Sequence, residues 1–282
     1  MTPTLADITK GLLQTYGRYP RKELGQHFLI DPEVLQRIVR AAEIGKDDIV
    51  IEIGSGLAVV TSELVKVSQQ VIAVEIDQEL IAISQQILKD FKNVTFVGKD
   101  ILKVNLEELA HGRRYRVVGN LPYYITSPII EKIFKSKDKP EIAVLMVQKE
   151  VAERMVAKPG SKTFGSFSIF CQFYAEVSIN SFVSKSSFLP WPEVGSALVV
   201  LKPYKEPKYK VQDEKKFFDI MHKAFQQRRK KIRNSLASFN LENCPIDLSR
   251  RPETLSIEEF AEIANHSSVW IPPPILLSYL YE

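Results

Sequence analysis

Residues 50–65, "VIEIGSGLAVVTSELV", carry the clearest structural pattern in the chain. An apolar, β-branched run meets Gly54 and Gly56, and a helix-like pattern follows. A strand, a glycine-rich turn and a helix in this order let the backbone approach a nucleotide-like ligand closely, although a tight strand-to-helix connection would use the same residues. A dinucleotide fingerprint requires a further glycine at position 59, where Val59 stands, and this counts against hydride transfer.

Strand-like and helix-like segments alternate from Val34 to about Pro203, which predicts βαβ units and a mostly parallel sheet. Short apolar runs are typical of strands that are buried on both faces. The predicted strands are residues 49–53, 71–76, 94–99, 116–120 and 142–148. Two further β-rich runs, residues 167–179 and 196–203, show no obvious helix between them and predict an antiparallel pair that closes the sheet. The predicted fold class is therefore α/β and Rossmann-like.

The strand signals stop after Pro203, and the segment "YKEPKYKVQ" is typical of a linker. Residues 217–239, "FFDIMHKAFQQRRKKIRNSLASF", predict one amphipathic helix with a basic face. Further on, Ser256 and Glu259 have the spacing of a capping box. We therefore expect an α/β domain over residues 1–204, including an N-terminal arm, and a small helical domain over residues 205–282.

Charge and composition limit the classes of function. The net charge is +4, but residues 202–233 hold twelve Lys/Arg and four Asp/Glu, so the rest of the chain carries −4. This concentration favours an anionic partner such as nucleic acid, with a solvated helix face as the alternative. Cys171 and Cys244 have neither CxxC spacing nor clustered histidines, so we predict no disulfide and no metal site. The chain has no apolar run of about 18 residues and no signal or transit pattern near its N-terminus, which predicts a cytoplasmic protein without a membrane segment.

Two acidic residues are predicted at the same edge of the sheet as the glycine-rich turn. Glu75 ends the next strand, 21 residues after Gly54, at the spacing where a carboxylate accepts hydrogen bonds from ribose hydroxyls. Asp100 follows the third strand and is placed to accept from an adenine amino group. A solvated acid at a strand end is the alternative for Glu75. No phosphate-binding lysine motif accompanies them, so phosphoryl transfer has little support.

The segment "GNLPYYIT", residues 119–126, follows the fourth strand and therefore belongs to this edge as well. The side-chain oxygen of Asn120, together with a backbone carbonyl beside the rigid Pro122, can accept both hydrogens of an exocyclic aromatic amine and hold its lone pair toward an electrophile. Tyr123 offers a flat surface for an extruded base, and Phe188 in the "FLPWP" loop is predicted to cover the opposite face. This pattern predicts a base-flipping methyl-transfer site; an ordinary turn with packed tyrosines is the alternative.

No general base is predicted at this site. A methylated sulfonium donor transfers its methyl group in line, and the amine becomes more acidic as it is alkylated. We therefore assign no catalytic role to His27 or His111.

Eight segments, in order, resemble the rRNA adenine N6-dimethyltransferase family, and they are most similar to its small-subunit branch, the kasugamycin-sensitivity methyltransferases. The likeness covers nearly the whole chain. The segments are "KELGQHFLID", "IEIGSGLAVVT", "VEID", "GKDIL", "GNLPYYITSPII", "MVQKEVAERM", "FLPWPEVGSALV" and "QQRRKKIRNSL".

The resemblance implies a seven-stranded class I methyltransferase domain that uses S-adenosylmethionine to dimethylate two adjacent adenosines in the 3′-terminal hairpin loop of small-subunit rRNA. Its expected partner is that rRNA in a pre-ribosomal particle, bound by a monomer. The implied roles divide into three groups: cofactor binding by Gln26, His27, Leu29, Gly54, Gly56, Glu75, Asp100 and Asn120; catalysis by Asn120, Leu121, Pro122 and Tyr123 with Phe188; and rRNA binding by Arg228, Arg229, Lys230, Lys231 and Arg233.

One departure from the family pattern concerns the cofactor loop, where Ala58 replaces a third glycine. We expect its methyl group to weaken cofactor binding.

Two other functions remain open at the level of sequence. The large-subunit rRNA dimethyltransferases of macrolide resistance share the cofactor and NLPY-type motifs, but the segment "QRRKKIRNSL" and residues 251–264 favour the small-subunit branch. A ribosome-assembly factor that keeps the fold as a scaffold is disfavoured by the intact Asn120, Pro122 and Tyr123.

Overall fold

The computed structural model describes residues 3–227, 229–241 and 243–267. The strands are β1 Phe28–Leu29, β2 Ile49–Ile53, β3 Gln70–Glu75, β4 Val94–Gly98, β5 Tyr115–Asn120, β6 Ala143–Gln148, β7 Ala175–Val183, β8 Phe188–Leu189 and β9 Ser196–Pro203. The helices are α1 Leu5–Thr15, α2 Pro32–Ala41, α3 Thr61–Val67, α4 Gln78–Ile87, α5 Leu106–Leu109, α6 Thr126–Lys135, α7 Lys149–Met155, α8 Ser166–Tyr174, α9 Glu214–Phe225, α10 Ile232–Ser235 and α11 Ile257–His266.

Seven strands form one sheet in the order β4-β3-β2-β5-β6-β9-β7. The strands from β2 to β6 pair in parallel, and β9 pairs antiparallel with β6. All five residues of the central strand β2 are buried, as expected for a strand covered on both faces. The predicted α/β class and seven-stranded sheet are confirmed, and the five predicted parallel strands agree with the structure to within one residue at each end.

The predicted strand over residues 167–179 is wrong in its first half. Residues 166–174 form the helix α8, and the strand β7 begins at Ala175. Phe167, Phe170 and Phe173 of this helix are all buried. When nearly every residue of a short run is apolar, its periodicity cannot distinguish a buried helix from a buried strand. Here tertiary packing stabilises the helix.

A second, two-stranded sheet links two segments that are far apart in sequence. Phe28 of β1 pairs antiparallel with Leu189 of β8, and Leu29 pairs with Phe188. The "FLPWP" segment therefore begins with a short strand. This pairing joins the N-terminal arm to the "FLPWP" segment.

The chain forms two compact units. The first comprises Met1–Ala152 and Ser178–Pro203, and the second comprises Glu153–Val177 and the chain from Tyr204 onward. The second junction lies between Pro203 and Tyr204. Residues 153–177, which were predicted to lie in the α/β domain, belong to the second unit because their aromatic side chains enter its core. Phe173 stacks on Phe217 with 4.8 Å between ring centroids, in a cluster that also contains Phe164 and Phe260.

The predicted continuous basic helix over residues 217–239 is broken in the structure. The helix α9 ends at Phe225, and α10 begins only at Ile232. The backbone N–H of Ile232 donates instead to the carbonyl of Arg250, at 2.9 Å. Consecutive cations repel one another on a helix, which favours a turn at this point. The capping box of α11 is confirmed, since Ser256 and Glu259 exchange backbone-to-side-chain hydrogen bonds of 2.8 and 3.2 Å.

Within the described ranges, no helix combines the length and apolar character needed to cross a membrane.

The residue that replaces the third glycine of the loop after β2 has a left-handed backbone. Ala58 has a φ of 57° and is buried in the core cluster that also contains Leu29, Val60 and Leu64. A side chain at such a φ costs about 1–2 kcal/mol, which glycine would avoid. The methyl group packs into the core and is not part of the wall of the cavity described below. Its strain therefore lowers the free energy of unfolding through the conformation of the loop.

We expect Ala58→Gly to destabilise the protein by about 1 kcal/mol less than the matched change Ala42→Gly. Both substitutions remove one buried methyl group from the same core cluster, worth about 0.8 kcal/mol. Ala42 has a φ of −75°, so glycine relieves no strain there. Urea denaturation of the two variants and of the original protein measures the difference. Equal losses of free energy of unfolding would contradict the strain assigned to Ala58.

Candidate active site

A cavity of about 220 Å³ opens at the carboxyl edge of the parallel strands in the first unit. The loops after β2, β3, β4 and β5 form its walls, together with the N-terminal arm. It brings together most of the predicted site residues, which are Gln26, His27, Leu29, Gly54, Gly56, Glu75, Asp100, Asn120, Leu121, Pro122 and Tyr123.

The glycine-rich turn brings its backbone close to the cavity. Gly54 and Gly56 have φ values of 75° and 54°, which favour glycine. A β-carbon at Gly56 would lie 3.4 Å from the ring of Phe28, and one at Gly54 would lie 3.5 Å from the carbonyl oxygen of Asn120. Side chains at these positions would fill the space between the turn and its neighbours.

Glu75 is fixed by three backbone donors. Its Oε2 accepts from the N–H of Gly56 at 3.0 Å, and its Oε1 accepts from the N–H groups of Ile76 and Asp77 at 2.8 and 3.0 Å. The residue is 8% exposed. Because a carboxylate has about four acceptor positions, this carboxylate can still receive a donor from the cavity.

Two further predicted residues are held by local hydrogen bonds. Asp100 accepts from the N–H of Leu102 at 2.9 Å through one oxygen and so caps the short turn after β4. Gln26 donates to Asp77 at 3.2 Å and accepts from the N–H of Arg21 at 2.9 Å. Gln26 therefore braces the N-terminal arm against the loop after β3.

Asp77 was not predicted as a site residue. Burial opposes its ionisation, but hydrogen bonds from Gln26 and from the N–H groups at the start of α4 outweigh this effect and lower the pKa of Asp77. The sequence does carry its N-cap signal for α4, which the structure confirms.

The turn after β5 orients the amide of Asn120. Its Nδ2 donates to the carbonyl oxygen of His27 at 2.9 Å, which leaves Oδ1 as the acceptor for an incoming donor. Gly119 precedes it in β5, and a β-carbon there would lie 2.8 Å from the side chain of Leu121 and 3.2 Å from Ile53, so any larger residue would force these neighbours to shift.

Tyr123 is held at both ends. Its hydroxyl forms a 2.7 Å hydrogen bond with the hydroxyl of Ser196, and its ring stacks on the ring of His27, with 5.9 Å between centroids and 25° between planes. Burial raises the pKa of the Tyr123 phenol, which therefore stays neutral. The Nδ1 of His27 lies 2.9 Å from the carbonyl oxygen of Pro190.

The structure does not bring Phe188 to this cavity. Its side chain is 1% exposed and packs in the hydrophobic core with Leu29 and Leu198. The backbone of β8 holds it there, because β8 pairs with β1 and directs alternate side chains to opposite faces. The ring that faces Tyr123 in the structure is that of His27.

The family model "Ribosomal RNA adenine dimethylase" matches residues 18–266. The chain belongs to this family. It is 41% identical over 267 residues to the Ribosomal RNA small subunit methyltransferase A of Clostridium botulinum (strain Okra / Type B1), covering 91% of this chain and 97% of that protein. It is 43% identical over 276 residues to the protein of the same name from Bacillus mycoides (strain KBAB4), covering 91% and 94%.

Two solved structures share the fold of this dimethylase. A dimethyladenosine transferase from Plasmodium falciparum superposes with a TM-score of 0.73 at 25% identity, over 86% of this chain and 99% of that chain. The 23S rRNA methyltransferase ErmE superposes with a TM-score of 0.71 at 23% identity, over 85% and 98%.

The dimethylase cavity contains one acidic residue that sequence reasoning missed. Glu52 is the fourth of the five residues of β2, is 2% exposed, and has an Oε2 with no hydrogen-bond partner. Burial, together with the nearby carboxylate of Glu75, raises the pKa of Glu52 to about 7, and it outweighs the opposite effect of Thr61. An acid inside an otherwise apolar strand, "IVIEI", was the signal that could have revealed it.

These residues fit S-adenosylmethionine, the methyl donor of the family. Glu75 and Asp100 present carboxylate oxygens at the cavity, which are acceptors of the kind that ribose hydroxyls and an adenine amino group require. Glu52 has a buried acceptor without a partner, which would suit the ammonium group of this molecule. Within residues 3–227, 229–241 and 243–267, no group of three or more His, Cys, Asp or Glu is arranged to hold a metal ion.

We expect Glu52 to make the stability of the dimethylase depend on pH. Its pKa is about 7 in the folded protein, above the ordinary value of 4.5, so the folded state binds the additional proton between these values. The free energy of unfolding should therefore fall as pH rises from 4.5 through 7, by up to about 3 kcal/mol relative to Glu52→Gln, which has no proton to lose.

Urea denaturation at pH 4.5, 6, 7 and 8 measures this difference. Glu63→Gln, a change on the partly exposed face of α3, is the control and should show no comparable slope. A constant difference between the original protein and Glu52→Gln across this range would contradict a raised pKa.

Proposed function

We propose that this dimethylase transfers methyl groups from S-adenosylmethionine to the exocyclic N6 of two adjacent adenosines in the 3′-terminal hairpin loop of small-subunit rRNA. The observation that carries the proposal is the orientation of Asn120, whose amide nitrogen is held by His27 and whose oxygen is left for an amine. The small-subunit names of relatives at 41% and 43% identity support the choice of substrate.

The turn after β5 supplies the acceptors for the amine. The Oδ1 of Asn120 accepts one N6 hydrogen. The carbonyl of Pro122 already accepts from the N–H of Ile125 at 3.2 Å and from the hydroxyl of Thr126 at 3.3 Å, so we assign the second hydrogen to the carbonyl of Leu121. Two acceptors draw the nitrogen lone pair out of conjugation with the ring and aim it into the cavity.

When bound, S-adenosylmethionine supplies an electrophilic methyl group on a sulfonium. The protein provides no base for the amine, because the alkylated nitrogen is acidic enough to release its proton to water. The two methylations at one nitrogen require the amine to turn while Asn120 and Leu121 keep their places.

Tyr123 supplies a stacking surface for the extruded adenine. Its ring is fixed by Ser196 and His27, so little conformational entropy is lost when a base stacks on it. A role for Phe188 on the opposite face would require its side chain to leave the core. The ring of His27 lies against one face of Tyr123. Stacking of the adenine on the other face does not require Phe188.

Exposed cations in the second unit support binding to rRNA phosphates. Arg229, Lys230 and Lys231 lie in the turn before α10, and Arg233 lies on α10; all four are exposed. Arg228, predicted with them, lies outside the described residues. We propose that these cations bind a small-subunit pre-ribosomal particle in the cytoplasm, and that the enzyme binds as a monomer. Sedimentation of the enzyme with small subunits would then give one molecule per particle.

We expect Asn120→Ala to lower kcat for methyl transfer by about 100-fold or more, because the amine loses a preorganised partner. The assay uses labelled S-adenosylmethionine and unmethylated small subunits, with large subunits and DNA in parallel, and maps the product as dimethyladenosine. Asn105→Ala is the matched control, since Asn105 caps α5 outside the cavity.

Three outcomes of this assay would count against the proposal. Label in large-subunit RNA would assign the enzyme to the large-subunit substrate, and label in DNA would remove rRNA as the target. Equal rates for Asn120→Ala and Asn105→Ala would show that the amide does not act on the amine.

We expect the double variant Lys230→Ala, Lys231→Ala to bind small subunits with a shallower salt dependence. Each lost phosphate contact should reduce the slope of log K against log salt by about one. Lys89→Ala, Lys92→Ala is the control pair, since both of these lysines are exposed in the first unit. Filter binding between 50 and 200 mM salt measures the slopes, and identical slopes for the two pairs would contradict phosphate binding by this cluster.

A further inference from the structure

A second cavity, which we call the α1 cavity, lies in the first unit beside the N-terminal helix. Its volume is about 460 Å³. Its apolar wall contains Leu13, Leu189 and Pro190, and its polar lining includes Lys10, Arg18 and Tyr19. None of these six residues has a place in the methyl-transfer chemistry described above.

The α1 cavity is connected through a chain of contacts with the turn after β5. Leu189 pairs with Phe28 across the β1–β8 sheet. The carbonyl of the next residue, Pro190, lies 2.9 Å from the Nδ1 of His27, whose ring stacks on Tyr123. A ligand in the α1 cavity is therefore separated from a base on Tyr123 by the segment of Leu189 and Pro190 and by the ring of His27.

The lining of the α1 cavity matches the chemistry of a nucleotide. Tyr19 is 84% exposed and offers a ring on which a base can stack. Lys10 provides a cation for a phosphate. Arg18 is partly neutralised by ion pairs with Glu79 and Asp77, but its Nε is buried and has no acceptor. An acceptor on a ligand would satisfy this donor.

We propose that the α1 cavity is a subsite for the nucleotide next to the adenosine being methylated. This inference rests on the proposed function, because the occupant is a neighbour of the target in the same RNA strand. The base stacks on Tyr19 against the apolar wall, and its phosphate lies near Lys10. An RNA strand that enters both cavities positions one adenosine at Asn120 while its neighbour is held outside the catalytic turn.

The test compares two substitutions in the α1 cavity with two matched substitutions outside it. Tyr19→Ala should raise KM for unmethylated small subunits about tenfold and leave the Kd for S-adenosylmethionine unchanged, and Tyr19→Phe should restore KM because it keeps the ring. Lys10→Ala should raise KM and lower the salt slope by about one. The controls are Tyr16→Ala, since Tyr16 is a half-exposed aromatic at the end of α1, and Lys66→Ala, since Lys66 pairs with Glu63 on α3.

A cross-linking measurement locates the nucleotide directly. A photoreactive adenosine analogue replaces the neighbour of the target, and cross-linked peptides are identified by mass spectrometry. We expect cross-links to residues 10–20, and their loss in Tyr19→Ala. Thermal unfolding of every variant checks that it is folded.

The outcomes separate the two proposals. If the original protein methylates no small-subunit RNA, the proposed function fails. If it methylates this RNA, but Tyr19→Ala and Lys10→Ala behave like Tyr16→Ala and Lys66→Ala, or the cross-links fall outside residues 10–20, then the subsite is overturned and the proposed function stands.

Discussion

The site depends on one constraint, which is the in-register parallel pairing of three adjacent strands. Ile53 of β2 lies opposite Val74 of β3 and Gly119 of β5. The next residue along each strand is Gly54, Glu75 or Asn120. Because parallel strands end at the same edge, this register sets a close backbone turn, a carboxylate and an amide side by side. A slip of one residue in any of these pairs would send the corresponding side chain to the other face of the sheet.

The same arrangement places two carboxyl groups in one apolar setting. Glu75 accepts three backbone hydrogen bonds, whereas Glu52 keeps an oxygen with no partner and a pKa of about 7. An unsatisfied buried acid costs stability, and a chain selected for stability alone would have a hydrocarbon at this position of β2. A ligand that carries positive charge offsets that cost when it binds. The cost in stability therefore arises at the site itself and is consistent with cofactor binding there.

The sequence predicted those parts of the molecule that depend on local patterns. Short apolar strands, the positions of Gly54 and Glu75, and the capping box of α11 follow from a few neighbouring residues each. The failures involve contacts between distant segments. The helix α8 forms because its aromatic rings enter a core built mainly from residues after 204. The break before α10 accompanies a backbone hydrogen bond from the N–H of Ile232 to the carbonyl of Arg250. Phe188 was predicted from its place in a motif, but its burial is set by pairing with Leu29.

His27 shows most clearly what a linear pattern omits. No periodicity connects it with Asn120, Tyr123 or Pro190, yet it contacts all three: its carbonyl orients the amide, its ring stacks on the phenol, and its Nδ1 faces the loop carbonyl. These contacts use the backbone carbonyl and the imidazole ring of one residue, so a change at any of them alters the geometry of the others. Since His27 immediately precedes β1, the pairing of β1 with β8 sets its position. The short two-stranded sheet, with two residues in each strand, therefore connects the N-terminal arm and the segment of Leu189 and Pro190 with the turn that carries Asn120.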